Sequence, residues 1–170
     1  MPYDARAVAN YFLDLARQEG RTLDPMGVQK LVYFAHGWHL ALLGTPLVKQ
    51  PVEAWDYGPV IADLYQGFRS FGREPIQTLA VRFEYNPESH ESCLVIPQID
   101  DTPETERTRA LLNKVWDSYK ALTSIQLSNL THVPGSPWTI ARKEKLRDID
   151  NSTIAEYFKS QARSNADSVQ

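Results

Sequence analysis

Two histidines lie one helical turn apart in the most apolar stretch of the chain. His36 and His39 belong to the run LVYFAHGWHLALL at 31–43, and this spacing lets two imidazoles on one helix chelate a metal ion. Asp56 could add a third ligand, and the three would then serve a metal-dependent hydrolase. Because no HExxH motif accompanies them, we favour histidines that hydrogen-bond within or beside the core. We therefore predict no metal and no cofactor.

Cysteine chemistry is the second candidate. Cys93 is the single cysteine, so the chain can form neither an internal disulfide nor a CxxC metal pair, which fits a reducing compartment. A nucleophile pair would need His90 or His132 beside Cys93. Since Cys93 stands in the apolar run CLVI, we expect a buried and inert thiol.

The sequence contains no GxGxxG and no GxxxxGK[ST] motif. We therefore do not expect a nucleotide-dependent enzyme.

The charge balance argues against binding dominated by nucleic-acid phosphates. The 170 residues include 18 basic and 21 acidic side chains, and the net charge is −3. The one basic run, RKEKLR at 142–147, is interrupted by Glu144, and we interpret it as a solvated helix end. A helical DNA-binding regulator that uses this run is the alternative function.

The segment EAWDYGPV, residues 53–60, combines a tight turn with aromatic side chains. Gly58 allows a backbone angle closed to other residues, and Pro59 after it predicts the start of a helix. Trp55 and Tyr57 flank this turn, so aromatic rings should stand at the rim of a rigid segment. Such a segment serves either as a core-packing corner or as an anchor for a protein partner.

The elements that must position these residues are mostly helices. A capping residue or glycine directly precedes proline at four predicted helix starts, Asp24-Pro25, Gly58-Pro59, Thr102-Pro103 and Ser136-Pro137. Asp4 and a capping box of Thr153 with Glu156 predict two more. With the apolar periodicity, the predicted helices run from Asp4 to the stop at Gly20 and over 25–43, 59–71, 103–120, 124–130, 137–143 and 153–162. The second is apolar almost all round, which predicts a central position.

Strand signals are few. Residues 51–55 form a short β-capable run, and 77–99 hold two more, LAVRFEY and CLVIP, which predict a β-hairpin. The predicted fold class is mainly α (α+β): a compact single-domain bundle of six to seven helices around a central apolar helix, with a small β-hairpin insertion. We expect this domain to cover 1–162, with 73–101 as a variable insertion and 163–170 as a flexible C-terminal tail.

Neither export nor membrane insertion is expected. The N-terminal segment MPYDARAVANYFLDLA contains Asp4 and Asp14 and no continuous apolar region, unlike a signal peptide. The apolar run at 31–43 is shorter than the roughly 18 to 20 residues that a membrane span needs. We therefore expect a cytoplasmic protein.

The polar residues of the predicted central helix gather on one side. A projection at 100° per residue places Gln29, Lys30, Tyr33 and His36 away from the main apolar group, so this stripe should face away from the core. It either lines a groove beside the aromatic turn or forms a buried hydrogen-bond network. The candidate partner-binding residues are accordingly Gln29, Lys30, Tyr33, His36, Trp55, Tyr57, Gly58 and Pro59.

Three blocks of the chain resemble a known family. They are QKLVYFAHGWHLALLGTPL at 29–47, VEAWDYGPVIADLYQGFRSFG at 52–72 and LSNLTHVPGSPWTIAR at 127–142. In content and order they are similar to the Panacea domain family, the SocA-like and phage-associated GepA-like proteins. The resemblance implies a largely helical domain that acts as the antitoxin of a bacterial or phage toxin–antitoxin pair. It further implies that the partner is a cognate protein toxin, encoded by an adjacent gene and neutralised by direct binding, and that the domain catalyses no reaction.

This sequence departs from the family pattern in two places. The chain has no room for the additional DNA-binding domain that family members often carry, so the resemblance does not extend to binding of its own promoter. Residues 73–101 match no block of the family. Variable segments of this kind can determine which toxin is bound, so the identity of the toxin stays open.

Overall fold

A long helix, α2 (Pro25–Leu43), lies at the centre of the molecule, which a computed structural model describes over residues 1–168. Asp24 caps its first turn by accepting a hydrogen bond from the Gly27 N–H, and Gly44 ends it in a left-handed conformation. Six further helices are α1 (Ala5–Gln18), α3 (Ala62–Phe68), α4 (Glu106–Tyr119), α5 (Ser124–Thr131), α6 (Pro137–Lys143) and α7 (Asn151–Asp167). Helices α1, α4, α5 and α7 pack around α2, which confirms the predicted central helix.

Two small antiparallel sheets accompany the helices. The first has the order β2-β1-β5, formed by β1 (Val52–Trp55), β2 (Gly58–Val60) and β5 (Asp148–Ile149). The second is a separate hairpin of β3 (Arg82–Asn86) and β4 (Glu91–Val95). The strand at 51–55 and the hairpin within 77–99 were both predicted, and the α+β class is confirmed.

The predicted helix start at Pro59 is wrong. Pro59 lies in β2 opposite Ala54, and α3 begins only at Ala62, followed by a 3-10 turn over Arg69–Phe71. Proline fits because β2 is an edge strand of its sheet, where a missing N–H can be tolerated. The sequence signal for a helix start was therefore overridden by pairing with β1.

Two other helix boundaries differ from the predictions. Before α4, residues Pro103–Thr105 form a 3-10 turn, so the α-helix itself starts at Glu106. Helix α7 is capped by Asp150, whose side chain accepts from the Ser152 N–H, and not by the predicted Thr153. It also extends past residue 162 to Asp167, so most of the predicted tail is helical; residues 169–170 lie outside the described part.

Helix α7 approaches α2 closely in the core. Gly37 of α2 leaves no room for a Cβ beside the ring of Phe158. That ring also lies edge-on to Trp38 at a centroid distance of 5.1 Å, while Phe34 stacks on Tyr119 at 4.5 Å. The helices therefore approach closely at a glycine and surround it with aromatic rings. Within residues 1–168, no helix combines the length and apolar character that crossing a bilayer requires.

Candidate functional site

A groove of about 570 Å³ lies between the start of α2, the β1–β2 turn and α3. We call it the aromatic groove, and its main lining residues are Met26, Gln29, Lys30, Trp55, Tyr57 and Tyr65. Four of these, Gln29, Lys30, Trp55 and Tyr57, belong to the predicted binding set. A concave surface thus lies beside the aromatic turn, and only part of the polar stripe reaches it.

The rim of the aromatic groove consists of exposed and half-buried aromatic side chains. Tyr57, at the tip of the β1–β2 turn, is 83% exposed. Trp55 lies edge-on to Tyr65 at a centroid distance of 4.9 Å, and its indole N–H donates to the carboxylate of Glu53 at 2.7 Å. Because Trp55 is fixed on two sides, the rim has a defined shape before any partner arrives.

The buried ammonium of Lys30 supports the turn from below. It is 2% exposed and donates to the carbonyl oxygens of Pro59 at 3.0 Å and Tyr57 at 3.4 Å. Burial lowers the pKa of Lys30 to about 8. Among residues 1–168 it forms no ion pair with a carboxylate, so backbone dipoles alone stabilise its charge.

Gln29 fixes the chain where β2 ends and α3 begins. Its side-chain amide donates to the Ile61 carbonyl at 3.0 Å and accepts from the Ile61 N–H at 3.0 Å. These two bonds replace those that a neighbouring strand would make. Lys30 and Gln29 together attach the hairpin to the central helix.

The prediction that the polar stripe faces away from the core is wrong. Gln29, Lys30, Tyr33 and His36 are all buried. Tyr33 lies edge-on to Phe158 of α7 at 5.9 Å, and burial raises its pKa. The projection assumed one solvent-facing side, but α2 is covered on every side along most of its length.

His36 is part of a buried network and does not line the aromatic groove. Its Nε2 donates to the side-chain oxygen of Asn151 at 2.8 Å, and its Nδ1 accepts from the Val48 N–H at 3.4 Å. Desolvation lowers the pKa of His36, which keeps the ring neutral in this arrangement. Tyr33 and His36 therefore correspond to the buried-network alternative.

Helix α6 supports the hairpin from the side. The Trp138 indole N–H donates to the Trp55 carbonyl at 2.7 Å. Arg142 donates to the Ala54 carbonyl at 3.2 Å and to the Asp56 carboxylate at 2.8 Å. This role was not predicted, because nothing in the local sequence connects residues 138–142 with a turn more than 80 positions earlier.

Comparison with known proteins identifies a family for this chain. Residues 28–139 match the family described as antitoxin SocA-like, Panacea domain. The chain belongs to this family. It is also 34% identical, over 137 residues, to antitoxin SocA of Caulobacter vibrioides (strain NA1000 / CB15N), an alignment that covers 81% of this chain and 69% of that protein. No solved structure matches the chain significantly.

The matched part of this Panacea domain contains most of the aromatic groove. Gln29, Lys30, Trp55, Tyr57 and Tyr65 all fall inside it, so family membership and groove geometry concern the same residues. Family membership supports an antitoxin role. The recognition of the Panacea domain from its three sequence blocks is confirmed.

The candidate metal ligands of the Panacea domain have separate partners. His39 donates to the Thr45 carbonyl at 2.6 Å and lies 3.3 Å from the Thr108 hydroxyl, whereas Asp56 pairs with Arg142. Over residues 1–168, no three His, Cys, Asp or Glu side chains are grouped as metal ligands would be. His36, His39 and Asp56 therefore each contact a different part of the fold and do not converge.

The prediction that Cys93 is buried is also wrong. Cys93 is exposed, because β4 belongs to a hairpin that stands away from the main core. The apolar neighbours of Cys93 in the sequence do not reveal which sides of this strand are covered.

Proposed function

We propose that this chain is the antitoxin of a toxin–antitoxin pair, and that it neutralises a cognate protein toxin by binding it directly at the aromatic groove. Family membership and the 34% identity to antitoxin SocA support the antitoxin role. The proposed location of the binding site rests on one observation, the exposed aromatic rim on a rigid turn.

The composition of the groove suits a binding anchor. Tyrosine, tryptophan and methionine are enriched at protein interfaces, and a few such residues supply most of the binding energy. Tyr57, Trp55 and Met26 meet at one concave surface. Because Lys30, Gln29 and Trp138 already hold the turn, binding there costs little conformational entropy.

The aromatic groove is tested by a single truncation. Tyr57→Ala should weaken binding to the protein encoded by the adjacent gene by at least about 30-fold, the effect of losing roughly 2 kcal/mol at a hot spot. Co-expression should then no longer relieve the growth arrest that the neighbouring protein causes. The melting temperature should not change, since the Tyr57 side chain is exposed.

Leu42→Ala is the matched control. Leu42 is also an exposed apolar residue, but it lies 16 residues, or about 24 Å, along α2 from Met26. This variant should bind and neutralise like the wild type. If no neighbouring protein is toxic, the antitoxin proposal fails; if Tyr57→Ala still neutralises a toxin, the groove is not the binding site.

The two alternative functions find little support. Two of the four cations in residues 142–147 are paired, Arg142 with Asp56 and Arg147 with Glu53 at 3.3 Å, so a DNA-binding surface there would depend on Lys143 and Lys145 alone. A hydrolase centre would need His36, His39 and Asp56 to converge, and each bonds elsewhere.

A further inference from the structure

The β3–β4 hairpin, which we call the arm (residues 81–96), presents an apolar face to solvent. Phe83 of β3 and Leu94 of β4 are directly opposite each other, and Tyr85 shares their face because side chains alternate along a strand. Phe83 is 76% exposed, Tyr85 60% and Leu94 58%. Large apolar side chains clustered in this way on a monomer typically mark an interaction surface.

The base of the arm is firmly attached to α1. The buried side chain of Asn10 accepts from the Ala80 N–H at 2.7 Å and donates to the carbonyls of Ala80 at 3.0 Å and Pro97 at 2.9 Å. Arg82 adds a bond to Asp4 at 3.0 Å. The arm therefore has a fixed root, and its apolar face points outward without being a disordered loop.

A two-stranded hairpin is only marginally stable in water unless another element packs on it. Within residues 1–168, no helix or third strand covers the face that carries Phe83, Tyr85 and Leu94. Its exposure is a free-energy cost that burial against a partner would remove. The uncovered face of the arm is therefore suited to contact a partner.

We propose that the outward face of the arm is a second contact surface for the toxin, which fits an apolar patch bordered by lysine or arginine side chains. The proposal rests on the antitoxin function proposed above. Glu88 is exposed in the turn at the tip of the arm, and Glu91 is exposed at the start of β4, on the face opposite Phe83. Arg82, the one arginine or lysine of the arm, is already paired with Glu84 and Asp4. The uncompensated charge at the tip of the arm is therefore negative, and a basic rim is its complement.

A second copy of the chain is the less suitable occupant. Two copies joined face to face with their arms parallel would bring the acidic tips with Glu88 and Glu91 near one another, in a protein whose net charge is already −3. Three exposed side chains also supply less than the roughly 800 Å² per partner that a stable interface buries. The arm is therefore better suited to be one part of a larger interface.

The arm and the aromatic groove are linked through two side chains. Gln50 donates to Asp4, which holds the root of the arm, at 3.1 Å, and to Asp63 of α3 at 3.0 Å. Helix α3 provides one wall of the groove. A single partner that contacts both surfaces would bury more area than either surface supplies alone.

The experiment measures binding between the purified full chain and the purified protein encoded by the adjacent gene. The double variant Phe83→Ser/Leu94→Ser should weaken binding by about 10- to 100-fold, mainly through faster dissociation. Cys93→Ser is the matched control, because Cys93 is exposed on the opposite face of the same hairpin, and it should bind like the wild type. Glu88→Lys/Glu91→Lys should slow association about 10-fold at low salt.

The outcomes separate the two proposals. If the wild-type chain does not bind the neighbouring protein, the antitoxin function and the arm surface both fail. If the wild type binds and Phe83→Ser/Leu94→Ser binds equally well with an unchanged melting temperature, only the arm proposal is overturned. Analytical ultracentrifugation provides the other decisive result: a wild-type dimer that the double variant converts to a monomer would assign the face to a second copy.

Discussion

The ammonium nitrogen of Lys30 lies 2.7 Å from the position that a Cβ atom at residue 58 would occupy. Gly58 has a φ of +115°, which side chains rarely tolerate. Both the conformation and the space at this position therefore require glycine. A buried cation and a glycine together set the shape of the turn that carries Tyr57.

Replacing Gly58 should destabilise the protein. We expect Gly58→Val to lower the free energy of unfolding by about 1 to 3 kcal/mol, through backbone strain and displacement of Lys30. Gly20→Val is the control, because Gly20 also has a positive φ, +65°, but open space around it. Denaturant titration should show a smaller loss for Gly20→Val; equal losses would mean that the contact with Lys30 is unimportant.

The titration of Lys30 should appear in the pH dependence of stability. Its pKa is about 8 in the folded protein against an ordinary value of 10.5, so the unfolded chain holds the additional proton between these values. The free energy of unfolding should therefore rise as pH increases through this window. Relative to Lys30→Met, the wild type should gain about 2 kcal/mol between pH 7.5 and 9.5. Parallel stability curves for the two proteins would refute this assignment.

Gly37 should not tolerate a methyl group. Alanine in place of a helical glycine normally stabilises by roughly 0.5 to 1 kcal/mol, but here the added Cβ would overlap the ring of Phe158. We expect Gly37→Ala to cost about 1 to 3 kcal/mol by overpacking. Gly67→Ala, in α3 with open space around it, should instead stabilise. Thermal unfolding of both variants provides the test, and a stabilised Gly37→Ala would contradict it.

Asn10 should determine whether the arm stays in place. Asn10→Ala leaves the Ala80 N–H without its partner, and we expect a loss of about 1 to 3 kcal/mol. Hydrogen exchange should accelerate most in β3 and β4. Asn113→Ala, which removes a solvent-exposed bond to Tyr11, should leave the exchange of both strands unchanged. Uniform acceleration across the helices would show that Asn10 stabilises the whole fold and not the arm.

Sequence signals that act between neighbouring residues predicted much of the fold. The caps at Asp24 and Ser136 act on N–H groups only three residues away, Gly27 and Thr139, so a single sequence contains the complete interaction. The arm was also predictable, because its two β-capable runs are close in sequence and pair with each other.

Contacts between distant residues accounted for the errors. Pro59 follows a glycine as it would at a helix start, but its partners are Ala54 in β1 and the ammonium of Lys30, 29 residues away. Lys30 was placed on an outward stripe, although the β1–β2 turn covers it. The turn with Trp55 and Tyr57 was therefore predictable from the sequence, whereas the contributions of α3 and α6 were not.

The pairing of β5 with β1 has a consequence for where this domain ends. The recognisable family sequence spans 28–139, yet Ile149 pairs with Val52 and the ring of Phe158 fills the space beside Gly37. A fragment trimmed to the matched residues would lose one edge of the sheet and would expose the central helix to water. The smallest unit that can fold cooperatively is consequently longer than the segment by which the family is recognised, and truncations designed from the match alone should yield aggregated protein.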